Sequence, residues 1–147
     1  MWLIFGTDKT TNAKVKEAVG EFLATLPPLT VVHVEDCLHD YPGGVSPWVI
    51  NRAFTHNLSL HTYSPFALPV YGLVPHRHRD GHTQYNPDQD FNAFIMQPAF
   101  DHVCCIWNGT DIPTRSRLEL AQIVPGRTLK LWNGFWSERV VEGDPYA

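Results

Sequence analysis

Three short turns in the sequence combine glycine with small polar residues, a composition that lets the backbone approach a charged ligand closely. The turns are Gly6-Thr7-Asp8, Tyr41-Pro42-Gly43-Gly44-Val45-Ser46 and Asn108-Gly109-Thr110-Asp111. Each follows a predicted strand and precedes a predicted helix, so its amides would lie at a helix N-terminus, where anions bind. We therefore expect the three turns to meet and form one site for a phosphorylated ligand.

The segment from Pro113 to Ala121 places hydroxyl, guanidinium and carboxylate groups at the start of a predicted helix. Thr114 would donate its amide and hydroxyl to a phosphate, and Arg115 or Arg117 would pair with the same group. Glu119 lies one helical turn further on, where its carboxylate would face a ribose hydroxyl. The alternative is an ordinary helix start with solvated charges, and the sequence leaves both interpretations open.

Motifs that specify other ligands or reactions do not occur in the chain. It has no GxGxxG, no GxxxxGK[ST] and no GxSxG, so dinucleotide-binding, P-loop and α/β-hydrolase sites are not predicted. The segment HRHRDGH, residues 76–82, has metal-binding residue types. Its two arginines repel a dication, so we expect a cationic loop there, no metal site, and no cofactor.

Short apolar runs alternate with amphipathic segments, as in α/β proteins. The runs predict strands at residues 2–5, 29–34, 58–63, 101–107 and 128–132. Helices are predicted with N-caps at Thr10 or Thr11 and at Ser46, and over residues 88–97 and 114–123. This alternation predicts a three-layer α/β/α Rossmann-like sandwich with a mainly parallel sheet of about five strands. Ligands of such sheets bind outside the carboxyl ends of the strands, where the three turns lie.

The chain of 147 residues is predicted to form one domain over residues 1–134, with an aromatic C-terminal tail over 135–147. The tail is expected to attach loosely, and its aromatic residues to dock on the domain or on a second subunit. The stretch between Pro65 and Pro87 has no clear periodicity, and a loop of that length is usually functional.

Charge and composition limit the partners. Eleven Lys and Arg against 15 Asp and Glu give a net charge of -4, so a broad surface for duplex nucleic acid is not expected. The sequence has no apolar run of about 20 residues, so no membrane partner is expected. Three cysteines without a CxxC pair fit a reducing cytoplasm. The sequence also allows a homo-oligomer with a subunit contact through Trp132, Phe135 and Trp136.

The stretch NAFIMQPAFDHVCCIWNGTDIPTRSRLELA, from Asn92 to Ala121, has a helix, an apolar strand, a glycine turn and a Thr-Arg helix start in this order. It resembles the SLOG superfamily, the Rossmann-like nucleotide-binding domains that include the YpsA-related stand-alone proteins. The resemblance extends from Met1 to about Trp132. It implies a nucleotide or nucleotide-derived ligand, with contacts from Gly6, Thr7, Gly43, Gly44, Gly109, Thr114 and Arg115. Asn92, Ser46 and Thr110 are added as candidate contacts.

A second resemblance, to the nucleoside deoxyribosyltransferases and deoxynucleotide N-hydrolases, concerns Glu119. Those enzymes place a catalytic glutamate in a helix after a late strand, which implies Glu119 as nucleophile and Asp8 as the residue that orients the sugar. Three hypotheses therefore stand. The first is a nucleotide sensor or sequestering protein, and the alternative is an N-glycosyl hydrolase or (deoxy)ribosyltransferase. The third is an interaction protein that has kept the fold without the ligand.

Overall fold

Alternation of apolar strands and helices produces an α/β fold in the computed structural model, which describes residues 1–36, 43–65, 79–86 and 88–142. The strands are β1 (Trp2–Gly6), β2 (Val31–Glu35), β3 (Ser59–Ser64), β4 (Gly81–Gln84), β5 (His102–Ile106), β6 (Thr128–Trp132) and β7 (Trp136–Val140). The helices are α1 (Ala13–Ala24), α2 (Val45–Arg52), α3 (Asn92–Ile95) and α4 (Ile112–Ala121).

Over these described ranges the strands form one sheet in the order β4-β3-β2-β1-β5-β6-β7. Every neighbouring pair is parallel except β6 and β7. The predicted α/β class with a mainly parallel sheet is therefore confirmed. The expected number of about five strands is wrong, because β4 and β7 are polar strands within segments predicted to be a loop and a tail.

Side chains that alternate along the central strands divide the core into two clusters. Ile4, Val34 and Cys104 belong to the cluster that contains the apolar faces of α1 and α2. Leu3, Phe5 and Cys105 belong to the other, which contains residues of α3 and α4. Both thiols are buried and unpaired, as expected of small apolar residues in a central strand.

The N-terminus of α1 differs by one residue from the prediction. Asn12, not Thr10 or Thr11, is the N-cap, and its Oδ1 accepts from the amides of Lys14 at 2.9 Å and Val15 at 3.3 Å. Thr10 Oγ1 in turn accepts from the Asn12 amide at 3.1 Å. Thr10 therefore helps to hold the turn in which Asn12 caps the helix. Asn is among the most favourable N-cap residues.

Helix α3 is much shorter than the predicted helix over residues 88–97, and a buried arginine ties its end to that of α4. Arg127, 1% exposed, donates from Nη1 to the Ile95 carbonyl at 2.6 Å and from Nη2 to the Gln97 carbonyl at 2.9 Å. Nη1 also donates to the Ala121 carbonyl at 3.4 Å. The guanidinium thus satisfies carbonyl groups that both helices leave unpaired, and its positive charge suits the C-terminal ends of helices.

The segment after Gly134 pairs with the sheet through β7, in contrast to the loose attachment that was expected. Trp136 lies opposite Trp132 in the antiparallel pair, and its Nε1 donates to Glu21 Oε2 at 3.1 Å. Its ring contacts Phe22 of α1, with the ring centroids 6.1 Å apart. Residues 143–147, which include Tyr146 of the predicted tail, lie outside the described residues. Within the described ranges, the structure contains no helix with the length and apolar character of a membrane span.

Candidate functional site

The order of the strands reverses between β1 and β5. From β1 the sheet grows through β2 and β3 to β4 on one side, and from β5 through β6 to β7 on the other. In open parallel sheets the crevice at such a reversal, outside the carboxyl ends of the strands, is the usual ligand site. The loops that leave β1 and β5 are two of the three turns predicted to carry chemistry.

The first and third turns are joined by Thr7. Its hydroxyl donates to Asp111 Oδ1 at 2.6 Å and accepts from the Asn108 amide at 2.9 Å. Its own amide donates to the Ile106 carbonyl at 2.9 Å. Thr7 is buried, so these bonds fix the relative position of the two loops at the reversal of the strand order.

The second turn packs against the first through the backbone. The Val45 amide donates to the Thr7 carbonyl at 2.9 Å, and the Lys9 amide donates to the Gly43 carbonyl at 3.1 Å. Asp8 and Gly44 form an isolated antiparallel bridge. The structure therefore brings all three predicted turns together, and among their residues it describes Gly43 onward in the second turn.

Two of the predicted glycines are required by contacts within the chain. A Cβ at Gly6 would lie 2.0 Å from the Ile106 carbonyl oxygen, and one at Gly44 would lie 2.6 Å from the Asp8 Cα. Gly44 also has a φ of +122°, which side chains rarely adopt. Packing of the three loops thus requires glycine at these two positions, with or without a bound phosphate. Gly109, with φ +89°, has open space where its Cβ would lie.

The helix N-termini at this site are occupied by the chain's own carboxylates. Asp8 accepts from the Ser46 amide at 2.9 Å and from the Ser46 hydroxyl at 3.1 Å. Asp111 is the N-cap of α4 and accepts from the Thr114 amide at 3.0 Å. In this structure aspartate therefore satisfies the Ser46 and Thr114 amides, which were expected to face a phosphate. Phosphate binding at these turns remains a prediction.

Helices α2 and α4 begin at residues other than those predicted. Gly44, not Ser46, is the N-cap of α2, and Ser46 lies in the first turn, where it serves as a donor to Asp8. Helix α4 begins two residues before the predicted Thr114, because Asp111 caps it and Pro113 lies in the first turn, where proline is tolerated. Thr110 contacts Asn108, whose Oδ1 accepts from its amide at 2.9 Å and its hydroxyl at 3.1 Å.

Asp8 has a strongly perturbed acidity. Its pKa is raised from the ordinary 3.8 to about 6, mainly by burial and to a smaller extent by the negative charge of the nearby Glu35. The Ser46 donors and the positive charge of Arg117 oppose this effect. Asp8 therefore changes its charge close to neutral pH, a property common among catalytic and ligand-binding carboxylates.

Arg117 and Glu35 form the charged centre of the site. Arg117 donates from Nη1 and Nη2 to the two carboxylate oxygens of Glu35, at 3.2 and 3.3 Å. Its Nε donates to Asn92 Oδ1 at 2.9 Å, and its guanidinium lies 5.2 Å from the centre of the Phe91 ring. Burial lowers the pKa of Arg117, but Glu35 and the other nearby carboxylates together raise it above its ordinary value, so the guanidinium stays charged. Asn92, a predicted contact, thus belongs to this cluster.

The structure does not bring Arg115 and Glu119 into the cluster. Arg115 Nε lies 3.6 Å from Glu119 Oε1, and both side chains are 68% exposed. They share the outer face of α4, whereas Arg117 is on the face with Thr114 and Leu118. Glu119, predicted as the nucleophile, therefore lies outside this cluster. The carboxylate of this cluster comes instead from Glu35, which was not predicted from the sequence. Its location at the end of an apolar strand could have indicated it, because ligands bind at strand ends in such sheets.

The predicted cationic loop is only partly described, because residues 76–78 lie outside the described ranges. His82 lies on β4, where its Nδ1 hydrogen-bonds with the Thr62 hydroxyl at 2.7 Å and its Nε2 with the Ser64 hydroxyl at 3.1 Å. Among the described residues, no group of three or more His, Cys, Asp or Glu side chains could hold a metal ion.

Comparison of the chain with family models, with curated proteins and with solved structures finds no match. The resemblance to the SLOG superfamily remains a prediction from the sequence. The function is therefore inferred from the residues of the site itself.

Proposed function

We propose that this chain binds a nucleotide or nucleotide-derived ribose-phosphate ligand at the carboxyl edge of the sheet, as a sensor or sequestering protein. The observation that carries the proposal is the meeting of three loops at the reversal of the strand order, beside the Glu35–Arg117 pair. Nucleotides bind at this position in doubly wound α/β folds.

The proposal includes a Rossmann-like three-layer arrangement of the fold. Its support is the alternation along β1 and β5, whose successive residues belong to two different hydrophobic clusters. One cluster contains α1 and α2, and the other contains α3 and α4. Helices on both faces of a mainly parallel sheet are the usual way to bury such strands.

Glu35 and Arg117 would make the main contacts with the ligand. Glu35 ends β2, the position from which an acidic side chain accepts ribose hydroxyls in doubly wound folds. Arg117 has five N–H donors, and the bonds to Glu35 and Asn92 use three of them. Two donors are then available for a phosphate oxygen. Because Asp8, Glu35 and Asp90 act on a single guanidinium, that of Arg117, the site favours a ligand that presents more hydroxyl groups than phosphates.

Calorimetry and thermal unfolding with a panel of nucleotides test the proposal. The panel contains ADP-ribose, NAD, cyclic AMP, cyclic GMP and the nucleoside monophosphates. A ligand at 100 times its Kd raises the free energy of unfolding by about 2.7 kcal/mol, so at least one member should raise the melting temperature measurably.

Matched variants on α4 and β2 test whether the ligand binds at the Glu35–Arg117 pair. Glu35→Gln and Arg117→Gln should weaken binding about tenfold or more, because each removes a charged hydrogen-bonding partner. Glu119→Gln and Arg115→Gln, the same substitutions on the exposed face of α4, should change it less than about twofold. Absence of binding by every panel member, or equal losses in both pairs of variants, would contradict the proposal.

Cleavage or transfer of an N-glycosidic bond is the second candidate function. It is favoured by Asp8, whose pKa of about 6 leaves it partly protonated near neutrality, with the Glu35 carboxylate nearby. Asp8 would protonate the departing base as its bond to the anomeric carbon breaks, and Glu35 would stabilise the positive charge that develops there. A water molecule would then attack the anomeric carbon and return a proton to Asp8, which completes the hydrolysis. Base release from nucleosides and nucleotides, followed by chromatography, should then fall as the pH rises through about 6. It should be lost in Asp8→Asn and retained in Glu119→Gln.

A cytoplasmic location and a homo-oligomer belong to the same proposal. Their support is the pair of buried free thiols at Cys104 and Cys105 and the side chain of Phe135, which is 71% exposed. A mass measurement of the natively purified protein gives both the number of chains in the assembly and the mass of any retained nucleotide. A retained ligand would also contradict the third hypothesis, that the protein is an interaction module without a ligand.

A further inference from the structure

Arg79 is buried with one edge of its guanidinium unused. Its side chain is 2% exposed, and Nη1 donates to Asp36 Oδ2 at 2.8 Å and to the Thr62 hydroxyl at 2.5 Å. Nε and Nη2 have no hydrogen-bonding partner among the residues that the structure describes. Unsatisfied donors of a buried charged group are rare and costly, so this edge calls for an acceptor from outside the described chain.

The geometry of the unused edge specifies the kind of acceptor. Nε–H and Nη2–H are parallel donors in a rigid fork, which matches two acceptor atoms side by side. A carboxylate, a phosphate and the N7 and O6 atoms of a 6-oxopurine all offer such a pair. The 6-amino group of adenine is a donor, so adenine cannot satisfy both N–H groups.

Charge selects among these acceptors. Asp36, 7% exposed, already pairs with Arg79, so the two side chains together carry no net charge. A second anion at the free edge would leave an excess negative charge in a buried position, which is unfavourable. A 6-oxopurine edge is neutral and satisfies both donors without adding charge.

The position of Arg79 suits a base whose sugar lies at Glu35. Asp36, its partner, directly follows Glu35 at the end of β2, and Thr62 lies on the neighbouring β3. Neighbouring strands are about 4.8 Å apart, so β3 lies roughly 10 Å from the Thr7 loop at the end of β1. This separation is comparable to the span of a nucleotide between its phosphate and the far edge of its base.

We propose, on the basis of the function proposed above, that Arg79 reads the N7/O6 edge of a 6-oxopurine base and thus selects guanine or hypoxanthine nucleotides over adenine nucleotides. In this arrangement Asp36 and Thr62 fix the guanidinium through Nη1 and leave its fork directed at the base. Arg79 is then the specificity residue of the site.

Calorimetry with GMP, IMP, AMP and 7-deaza-GMP tests this inference on the unmodified protein. GMP and IMP should bind at least about tenfold more tightly than AMP, the discrimination typical of a bidentate arginine–guanine pair. 7-deaza-GMP lacks the N7 acceptor and should lose about the same factor relative to GMP. Because this comparison changes only the ligand, it does not depend on the folding of any variant.

A second test changes the protein: Arg79→Lys is compared with Arg115→Lys, a control on the exposed face of α4. Lysine keeps the charge beside Asp36 but has no fork, so the preference for GMP over AMP should fall below about threefold. The control should keep the full preference.

Equal binding of AMP and GMP, or an unchanged preference in Arg79→Lys, would overturn the inference and leave the proposed function standing. So would inorganic phosphate that competes at Arg79 as effectively as GMP, since the free edge would then bind an anion. If none of the four monophosphates binds, the inference is overturned, and ADP-ribose and NAD decide separately whether the proposed function survives.

Discussion

Replacing Asp8 by asparagine should make the protein more stable above pH 6. In the folded chain burial raises the pKa of Asp8 to about 6, from its ordinary value of 3.8. A tenfold change in proton affinity corresponds to about 1.4 kcal/mol, so ionisation of this carboxyl group costs up to about 3 kcal/mol of the free energy of unfolding. Because Asp8 is only partly buried, we expect a net effect of about 1 to 3 kcal/mol.

The direction of the pH dependence follows from the sign of the shift. Below pH 3.8 the carboxyl group is protonated in both the folded and the unfolded chain, so it contributes no penalty. Between pH 3.8 and about 6 the folded chain holds a proton that the unfolded chain has released, and stability falls as the pH rises. Above about pH 6 the penalty is complete. Asparagine keeps an oxygen acceptor for the Ser46 amide and does not titrate.

Urea unfolding followed by tryptophan fluorescence at pH 4, 5, 6, 7 and 8 measures this effect. The gain of Asp8→Asn over the unmodified chain should be near zero at pH 4 and should reach its full value by pH 7. Glu119→Gln is the control, because its exposed side chain should give a flat difference. A variant that is less stable at every pH, or a gap that does not widen between pH 4 and pH 7, would refute the reasoning.

Two further substitutions test the packing that builds the site. Arg127→Met should lower the free energy of unfolding by about 2 to 4 kcal/mol, because three carbonyl groups, two of them buried, lose a charged donor. The urea midpoint measures this loss, with Arg139→Met at an exposed position as the control. Gly44→Ala should abolish or strongly destabilise folding, since its Cβ would lie 2.6 Å from the Asp8 Cα, whereas Gly109→Ala should cost only about 1 to 2 kcal/mol of backbone strain. Equal melting temperatures for the two alanine variants would contradict this.

The apolar strands of the sheet could be predicted from the sequence, and the polar ones could not. Strands β5 and β6 agree with their predicted ranges closely, because central strands are continuous apolar runs. Strand β4, with the sequence GHTQ, is held to β3 by side-chain hydrogen bonds that include His61 with Thr83 and His82 with Thr62. Such pairs leave no hydrophobic periodicity in a sequence.

The candidate site could be predicted as a set of loops but not as a set of bonds. Glycines after strands mark the turns locally, and the fold rule for parallel sheets brings them together. The bond between Thr7 and Asp111 joins residues 104 positions apart, and that between Asp8 and Ser46 joins residues 38 apart. No local pattern encodes these partners, so the occupation of the helix N-termini by carboxylates became visible only in the structure.

The charge of Asp8 can serve a ligand, or the residue can serve only as an acceptor for the Ser46 amide, and the Asp8→Asn variant distinguishes the two. Asn, Ser and Thr accept a backbone amide as well as Asp does and carry no charge, so stability alone would favour one of them at this partly buried position. If Asp8→Asn gains stability and loses ligand affinity, the charge serves the ligand at the expense of the fold. If the variant gains stability and binds as before, Asp8 only satisfies the Ser46 amide in the first turn of α2, and the binding proposal then rests on Glu35 and Arg117 alone.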